Sequence, residues 1–142
     1  MHMFRQAVPI LAFLIAGCSE ATTSPEDVQG VWAGDGVRLS ITLITARFES
    51  PCYDGELTIP FQYGPDGRFE TGGLLTRQGG APGGDPPTPR FATFTGRVSG
   101  DALTLSIAPD DFGLGPYQLQ RDAQVNIIGC PLESSLPLRA VH

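Results

Sequence analysis

The chain has 142 residues, of which 41% are hydrophobic and 17% are charged. It is therefore long enough for one domain and too apolar for an intrinsically disordered protein. Its formal net charge of −6 repels phosphate backbones, and no basic stripe interleaved with aromatic residues is present, which excludes nucleic acid as a partner. Abundant glycine and proline, at 18 and 13 residues, favour short strands joined by turns over long helices.

The N-terminus has the organisation of a secretory signal peptide. Arg5 supplies a positive charge, and an apolar stretch follows over residues 7–16, which is too short to span a bilayer permanently. The stretch leads into Leu14-Ile15-Ala16-Gly17-Cys18, which resembles the lipobox of bacterial lipoproteins. The resemblance implies that residues 1–17 are removed and that Cys18 carries a lipid. The alternative is a secreted protein without lipid, in which Cys18 pairs with another cysteine.

The lipobox interpretation places the protein in the cell envelope, with the membrane as its partner through Cys18. Ser19 stands where an Asp would resemble an inner-membrane retention signal. We therefore expect the outer membrane in an organism that has two. Residues 18–28 are small, polar and acidic, and are predicted to form a flexible tether. A domain over residues 29–131 and a C-terminal tail over residues 132–142 complete the predicted organisation.

Two cysteines, Cys52 and Cys130, remain once Cys18 is assigned to lipid. An exported compartment is usually oxidising, and two cysteines in a small domain most often pair there. We therefore expect a disulfide between them. The alternative is a pair of free thiols.

Alternation of apolar and polar residues predicts an all-β domain. Residues 37–43 and 103–107 alternate with a period of two, which gives each strand one apolar face. Further predicted strands lie at residues 56–63, 68–76, 91–98, 117–121 and 124–128. Pro65-Asp66-Gly67 and Ser99-Gly100-Asp101 predict hairpin turns. The sequence thus predicts a single small antiparallel barrel, or a sandwich, of about 7–8 short strands.

Residues 78–89 have the composition of a loop, because a strand cannot hold so many prolines. A loop of this length is uncommon unless it is functional or disordered. Two interpretations stay open. It is either a binding loop that uses Gly79, Gly80, Gly83 and Asp85, or a mobile excursion without a binding role.

Gly30-Val31-Trp32 opens the first predicted strand. This tripeptide resembles the G-x-W start of calycin barrels, the group that includes lipocalins and avidins. In those barrels the Trp packs across the floor, under an Arg or Lys from the last strand. The resemblance implies a barrel-floor pair of Trp32 and Arg121 with a cation–π contact. The alternative is that Trp32 is an ordinary core residue.

Most of the predicted domain also resembles a family of small all-β bacterial lipoproteins. The matching pieces include Gly30-Val31-Trp32, Asp66-Gly67-Arg68-Phe69, the segment 96–101, Cys52 and Cys130. The resemblance implies the β fold and the disulfide, and it attaches no activity to the chain.

The sequence contains few of the residues that catalysis and metal binding usually require. His2 leaves with the signal peptide and His142 is in the predicted tail, so we expect neither to be held rigidly as catalysis requires. The sequence contains no Lys. We therefore expect no enzyme activity, no cofactor and no metal site. Carboxylates are the remaining candidates for acid–base chemistry. They are Asp35, Asp54, Glu56, Glu70, Asp110 and Asp111.

Three functions follow from these observations. The favoured one is a non-catalytic binding module, which takes a small apolar ligand or a partner protein of the envelope. The alternatives are a structural envelope lipoprotein and, less favoured, a carboxylate-dependent hydrolase. A hollow barrel would favour the small ligand. A filled interior with an ordered loop over residues 78–90 would favour protein contacts, and a filled interior with that loop mobile would favour the structural role.

Overall fold

The computed structural model describes Gly17 and residues 22–79, 83–84 and 86–130. Within these residues, one short helix, α1 (Pro25–Val28), precedes nine strands. The strands are β1 (Gly30–Gly34), β2 (Val37–Ile41), β3 (Ala46–Glu49), β4 (Tyr53–Leu57), β5 (Gln62–Tyr63), β6 (Arg68–Arg77), β7 (Arg90–Ser99), β8 (Ala102–Pro109) and β9 (Leu114–Arg121).

The strands form a closed antiparallel barrel. Eight of them follow one another around the ring in the order β1, β2, β3, β4, β6, β7, β8 and β9, and β9 pairs with β1 to close it. β5 is an extra strand that pairs with the start of β6. The predicted all-β antiparallel fold is therefore confirmed, as a barrel and not a sandwich. Closure leaves the ring without a free edge.

Alternate residues of each strand point into the barrel and form its core. In β8, buried positions alternate with more exposed ones, as the strand period requires. An eight-stranded barrel is just wide enough for side chains to fill it. The largest fully buried side chains include Trp32, Phe48, Phe69, Phe94, Leu39, Leu75, Leu103, Leu105, Ile107 and Leu119.

Glycines on the inner face make room for the aromatic rings. A Cβ at Gly96 would overlap the ring of Phe69. A Cβ at Gly55 would lie 3.0 Å from Cζ of Phe94, and one at Gly73 would lie 2.9 Å from its Cε2. Each ring thus occupies the volume that a side chain at these glycine positions would need.

The barrel has two ends, which we name the N-terminal end and the disulfide end. The N-terminal end carries α1, the loop 42–45, the segment 58–67 and the turn at residues 100–101. The disulfide end carries the turn at 35–36, the segment 50–52, the loop 78–89 and the loop 110–113.

Both hairpin turns predicted from the sequence are confirmed. Gly100 has a φ of +61°, and the turn it forms with Asp101 places Ser99 opposite Ala102. The turn before β6 has a φ of +60° at Asp66 and +79° at Gly67. Positive φ is inexpensive for Gly and tolerated by Asp.

Three differences from the predicted strands are larger than a shift of a few residues at a strand end. The predicted strand 56–63 is divided into β4 and β5, since Pro60 has no N–H to give to a ladder. β3 lies outside the predicted strands, because four residues give too short an alternation. Residues 124–128 form no strand, because β8 and β1 already occupy both edges of β9.

Part of the predicted tether is folded against the barrel. Thr22 forms an isolated antiparallel bridge with Pro65, and the N–H of Thr23 donates to the carbonyl of Gly64 at 3.1 Å. Val28 of α1 is fully buried and belongs to the core. Residues 22–28 are thus part of the domain, while residues 18–21 of the predicted tether lie outside the described residues.

Candidate functional site

The barrel floor lies at the N-terminal end and contains Trp32 and Arg121. The two residues are cross-strand partners in the pairing of β1 with β9. The guanidinium carbon of Arg121 lies 4.1 Å from the centre of the indole ring, within the range of a cation–π contact. The indole N–H donates to the carbonyl of Val28 at 2.9 Å.

Arg121 also holds the segment that precedes β1. Its two terminal nitrogens donate to the carbonyl of Gln29 at 2.5 Å and to that of Asp27 at 2.8 Å, while its Nε lies 3.3 Å from a carboxylate oxygen of Asp101. The side chain of Arg121 is only 26% exposed, so these bonds are partly shielded from water. The floor therefore closes this end of the barrel, and the polar groups of Trp32 and Arg121 are hydrogen-bonded within the protein.

The start of α1 is stabilised by an acidic side chain. The carboxylate of Asp27 accepts from the N–H of Ser24 at 2.9 Å and from its hydroxyl at 3.0 Å. The hydrogen bond from the Ser24 backbone, followed by the one from its hydroxyl, lowers the pKa of Asp27 below its ordinary value. An ionised Asp at this position suits the first turn of a helix.

The disulfide end is tied by Cys52 and Cys130. Their sulfurs are bonded to each other across a sequence separation of 78 residues, so the predicted disulfide is confirmed. The carbonyl of Cys52 also accepts from the N–H of Gln78 at 2.7 Å. The bridge therefore joins the β3–β4 connection and the start of the loop 78–89 to the chain beyond β9.

The predicted binding loop is described only in part. Gly79 has a φ of +80° and packs against Cys130, while Gly83 has a φ of +83° and is exposed. Residues 86–89 are exposed. Gly80 and Asp85 lie outside the described residues, so a binding role for this loop stays a prediction.

Aromatic side chains close the disulfide end of the barrel. The Tyr53 ring lies 5.8 Å from that of Phe112, and the Tyr117 ring lies 5.8 Å from that of Phe48 (centre to centre). Burial, with a smaller contribution from Tyr53, raises the pKa of Tyr117 above its ordinary value. Arg90 lies over the Phe112 ring at 5.5 Å. Both ends of the barrel are thus covered by the protein's own side chains.

The outer face of the barrel carries an exposed apolar pair near the disulfide end. Leu74 on β6 and Phe91 on β7 are direct cross-strand partners, and they are 47% and 62% exposed. The ring of Phe91 covers Gly72, since a Cβ there would lie 2.8 Å from its Cζ. We call Leu74 and Phe91 the outer pair.

A cleft of about 310 Å³ borders the outer pair on the side of β4. Its lining includes Leu74 itself, the end of the long loop at Pro89, and the charged side chains of Arg47, Asp54 and Glu56. Arg47 and Asp54 lie 3.7 Å apart and are both solvent-accessible. The outer pair is therefore an apolar centre with charged side chains along one border.

Sequence reasoning missed the outer pair, although a signal was present. Leu74 and Leu75 are adjacent in a strand, so one of them has to point outward whatever the register. Phe91 lies at an outward position for the same reason, since Ala92 and Phe94 point inward.

The candidate carboxylates are spread over the surface. Asp111 pairs with Arg90 at 3.1 Å, and Asp35 accepts from the backbone N–H of Gln118 at 2.7 Å. Glu56 and Glu70 are exposed on β4 and β6. Among the described residues, no group of three or more His, Cys, Asp or Glu side chains is placed to hold a metal ion.

Several predicted features fall outside the described residues, namely Cys18, the stretch 1–16 and the tail 132–142. No helix within the described ranges is long and apolar enough to cross a membrane. The lipid on Cys18 and the signal peptide stay predictions from the sequence.

Comparison of the chain with protein-family models, curated proteins and solved structures finds no match. The resemblances to calycins and to small all-β lipoproteins therefore also stay predictions.

Proposed function

We propose that this chain is an exported protein, held on a membrane by a lipid on Cys18, that binds a partner protein through the outside of its barrel and has no catalytic activity. The observation that carries the proposal is the contrast between a filled interior and an exposed apolar outer pair. The lipobox supports the membrane anchor.

The filled interior argues against a small apolar ligand as the cargo. A pocket for such a ligand needs roughly 300 Å³ or more of enclosed space. Here Trp32, Phe48 and Phe94 are fully buried in the interior, and Phe48 and Phe94 pack edge to face at 6.4 Å. Admitting a ligand would require expelling at least one of these rings from the core, at a cost of about 3–5 kcal/mol for each ring lost.

The outer pair supports protein binding. Protein interfaces often have an aromatic or aliphatic centre surrounded by polar groups that exclude water. Phe91 and Leu74 supply such a centre, and Arg47, Asp54 and Glu56 supply part of the border. Because the pair alone is smaller than a stable interface requires, we expect the partner also to contact the exposed segment 86–89, whose last residue, Pro89, lines the same cleft as Leu74.

The positions of the carboxylates support a non-catalytic role. A glycosidase needs two carboxyl groups that face one cleft across a sugar ring. Asp111 is engaged by Arg90 at the disulfide end, and Asp35 accepts a backbone hydrogen bond in the β1–β2 turn. Asp54 and Glu56 lie two residues apart on β4 and so on the same face of that strand, which does not place them on opposite sides of a substrate.

Site-specific photo-crosslinking in the native envelope tests the binding surface. A photoreactive phenylalanine analogue replaces Phe91 or Leu74, and a matched control replaces Thr95, which is exposed on the same strand as Phe91. We expect the first two positions to yield one identified protein and Thr95 to yield none. Equal crosslinking at all three positions, or none at any, would contradict the proposal and favour the structural envelope role.

Mass spectrometry of the purified protein tests the anchor separately. We expect a mass that begins at Cys18 and includes a diacylglycerol group with further acylation. A mature mass without lipid would remove the anchor from the proposal and leave the crosslinking test intact.

A further inference from the structure

The loop 42–45 at the N-terminal end presents two adjacent large apolar side chains to solvent. Leu43 is 72% exposed and Ile44 is 85% exposed. The loop contains no charged residue, since Thr42 and Thr45 complete it. Adjacent apolar side chains at a loop tip are costly to expose, so their position calls for a surface that covers them.

The loop is held in shape by its own hydrogen bonds. The Thr42 hydroxyl accepts from the N–H groups of Ile44 at 3.3 Å and of Thr45 at 2.9 Å. The N–H of Thr42 donates to the carbonyl of Thr45 at 2.8 Å, and the two threonine hydroxyls lie 3.0 Å apart. Satisfied polar groups lower the cost of moving a loop tip into an apolar medium.

A cleft of about 220 Å³ continues the apolar surface behind the tip. It extends from Leu43 across Ile59 and Pro60 to Pro25, the first residue of α1. The apolar tip and the segment that enters the domain from the N-terminus therefore lie on the same end of the barrel.

The lipidated cysteine cannot be far from this end. Thr22 is fixed to Pro65 at the N-terminal end, and it follows Cys18 by four positions. Four extended residues reach about 14 Å at most. A lipid on Cys18 therefore keeps the N-terminal end of the barrel close to the membrane surface.

We propose that the loop tip Leu43–Ile44 inserts into the interface of the bilayer and docks the barrel end-on. This inference rests on the proposed lipid on Cys18. Because the tip carries no charge, insertion does not require anionic lipid. The outer pair lies toward the opposite, disulfide end, where it faces the aqueous phase and stays accessible to a partner protein.

Tryptophan quenching by brominated lipid tests the docking in the full lipidated protein. Ile44→Trp places an indole at the tip, and Phe91→Trp places one at a matched exposed site near the other end. The native Trp32 is fully buried in the barrel floor and supplies a constant background. Each protein is reconstituted into vesicles of phosphatidylcholine with or without bromine on the acyl chains, and Leu43→Trp replaces Ile44→Trp if the latter does not fold.

After the wild-type emission is subtracted, we expect brominated lipid to reduce the emission added by Ile44→Trp about twofold, as for a side chain at the boundary of headgroups and acyl chains, and to leave the emission added by Phe91→Trp unchanged. Unquenched emission at position 44 in a protein whose mass shows the lipid would overturn the docking and leave the anchor intact. A blue shift without quenching would show a second copy on the tip, and equal quenching at both positions would show no fixed orientation; each overturns the docking. A protein without lipid on Cys18 would overturn both the anchor and the docking.

Discussion

Arg121 lies over Trp32 at the floor of the barrel, with its guanidinium carbon 4.1 Å from the centre of the indole ring. The same guanidinium donates to the carbonyls of Gln29 and Asp27. One side chain from the last strand thus holds the first strand and the segment before it. This matters because β1 and β9 are joined by only a short ladder, in which Trp32 and Ala33 pair with Arg121 and Gln120.

Replacement of Arg121 by Ala is expected to lower the free energy of unfolding by about 2–4 kcal/mol, because it removes the cation–π contact and two hydrogen bonds from a charged donor. Urea unfolding followed by the emission of Trp32, the one tryptophan of the chain, measures the change. Arg47→Ala is the matched control, since Arg47 is 60% exposed and its ion pair is long at 3.7 Å; we expect less than about 0.5 kcal/mol there. Equal effects of the two substitutions would contradict a structural role for the floor.

Replacement of Gly96 by Ala is expected to destabilise the barrel by about 1–3 kcal/mol or more, because the new methyl group would overlap the Phe69 ring. Gly64→Ala serves as the control, since its Cβ would have no neighbour closer than 3.7 Å. A double-mutant cycle with Phe69→Leu separates overlap from other causes. We expect Phe69→Leu to cost less in the Gly96→Ala variant than in the wild type, and additive costs would argue against the overlap.

The fold could be predicted from the sequence where a local pattern decides it. The alternation in β2 and β8 predicts strands, and Gly100 predicts a turn, because a period of two and a positive φ are properties of the local chain. The choice of a barrel over a sandwich could not be predicted from the alternation. It depends on the pairing of β9 with β1, a contact between residues almost 90 positions apart for which the alternation carries no signal.

The same distinction applies to the candidate site. The contact between Trp32 and Arg121 could be predicted from a resemblance. The disulfide between Cys52 and Cys130 could be predicted because exported compartments are usually oxidising. The adjacent Leu74 and Leu75 indicated that one leucine points outward, but the pairing of Leu74 with Phe91 could not be predicted, because it depends on the register of β6 with β7. The packing of α1 was missed as well, since Val28 follows a polar stretch typical of a tether and its burial depends on the barrel floor above it.

Removal of the disulfide by Cys52→Ser with Cys130→Ser is expected to lower the free energy of unfolding by about 4–5 kcal/mol, because the bridge closes a loop of nearly eighty residues in the unfolded chain. Thermal unfolding with and without a reducing agent measures the effect. The reductant should lower the melting temperature of the wild type toward that of the double variant and leave the double variant unchanged. A double variant as stable as the oxidised wild type would show that the bridge constrains the unfolded chain little.

The ion pair of Glu49 with Arg38 predicts a loss of stability in acid. The two groups lie 2.7 Å apart, and the hydrogen bond from Arg38 lowers the pKa of Glu49 below its ordinary value. A lowered pKa in the folded state means that the pair stabilises the protein above the unfolded-state pKa of about 4.3, and that this contribution is lost as the pH falls through the lower, folded-state pKa.

Glu49→Gln should therefore reduce stability by about 0.5–1 kcal/mol at pH 7, a modest amount because both side chains are partly exposed. The deficit should shrink as the pH falls below the unfolded-state pKa of about 4.3 and through the lower folded-state pKa of Glu49. Urea midpoints at pH 7 and over this acidic range measure it. Glu56→Gln, on the neighbouring strand, controls for the loss of a surface carboxylate; a deficit in Glu49→Gln that persists unchanged at low pH would show a cause other than ionisation.

The two phenylalanines Phe91 and Phe94 separate the surface function from the core, because they lie on the same strand and point to opposite sides of the barrel wall. Phe94 is fully buried, and its replacement by Ala is expected to cost about 3–5 kcal/mol. Phe91 is 62% exposed, and its replacement by Ala should cost less than about 1 kcal/mol, mostly through lost cover over Gly72. Urea unfolding gives both values. If the outer pair binds a partner, Phe91→Ala should abolish photo-crosslinking from position 74 in a protein that is still folded, whereas crosslinking that survives Phe91→Ala would place the partner elsewhere on the barrel.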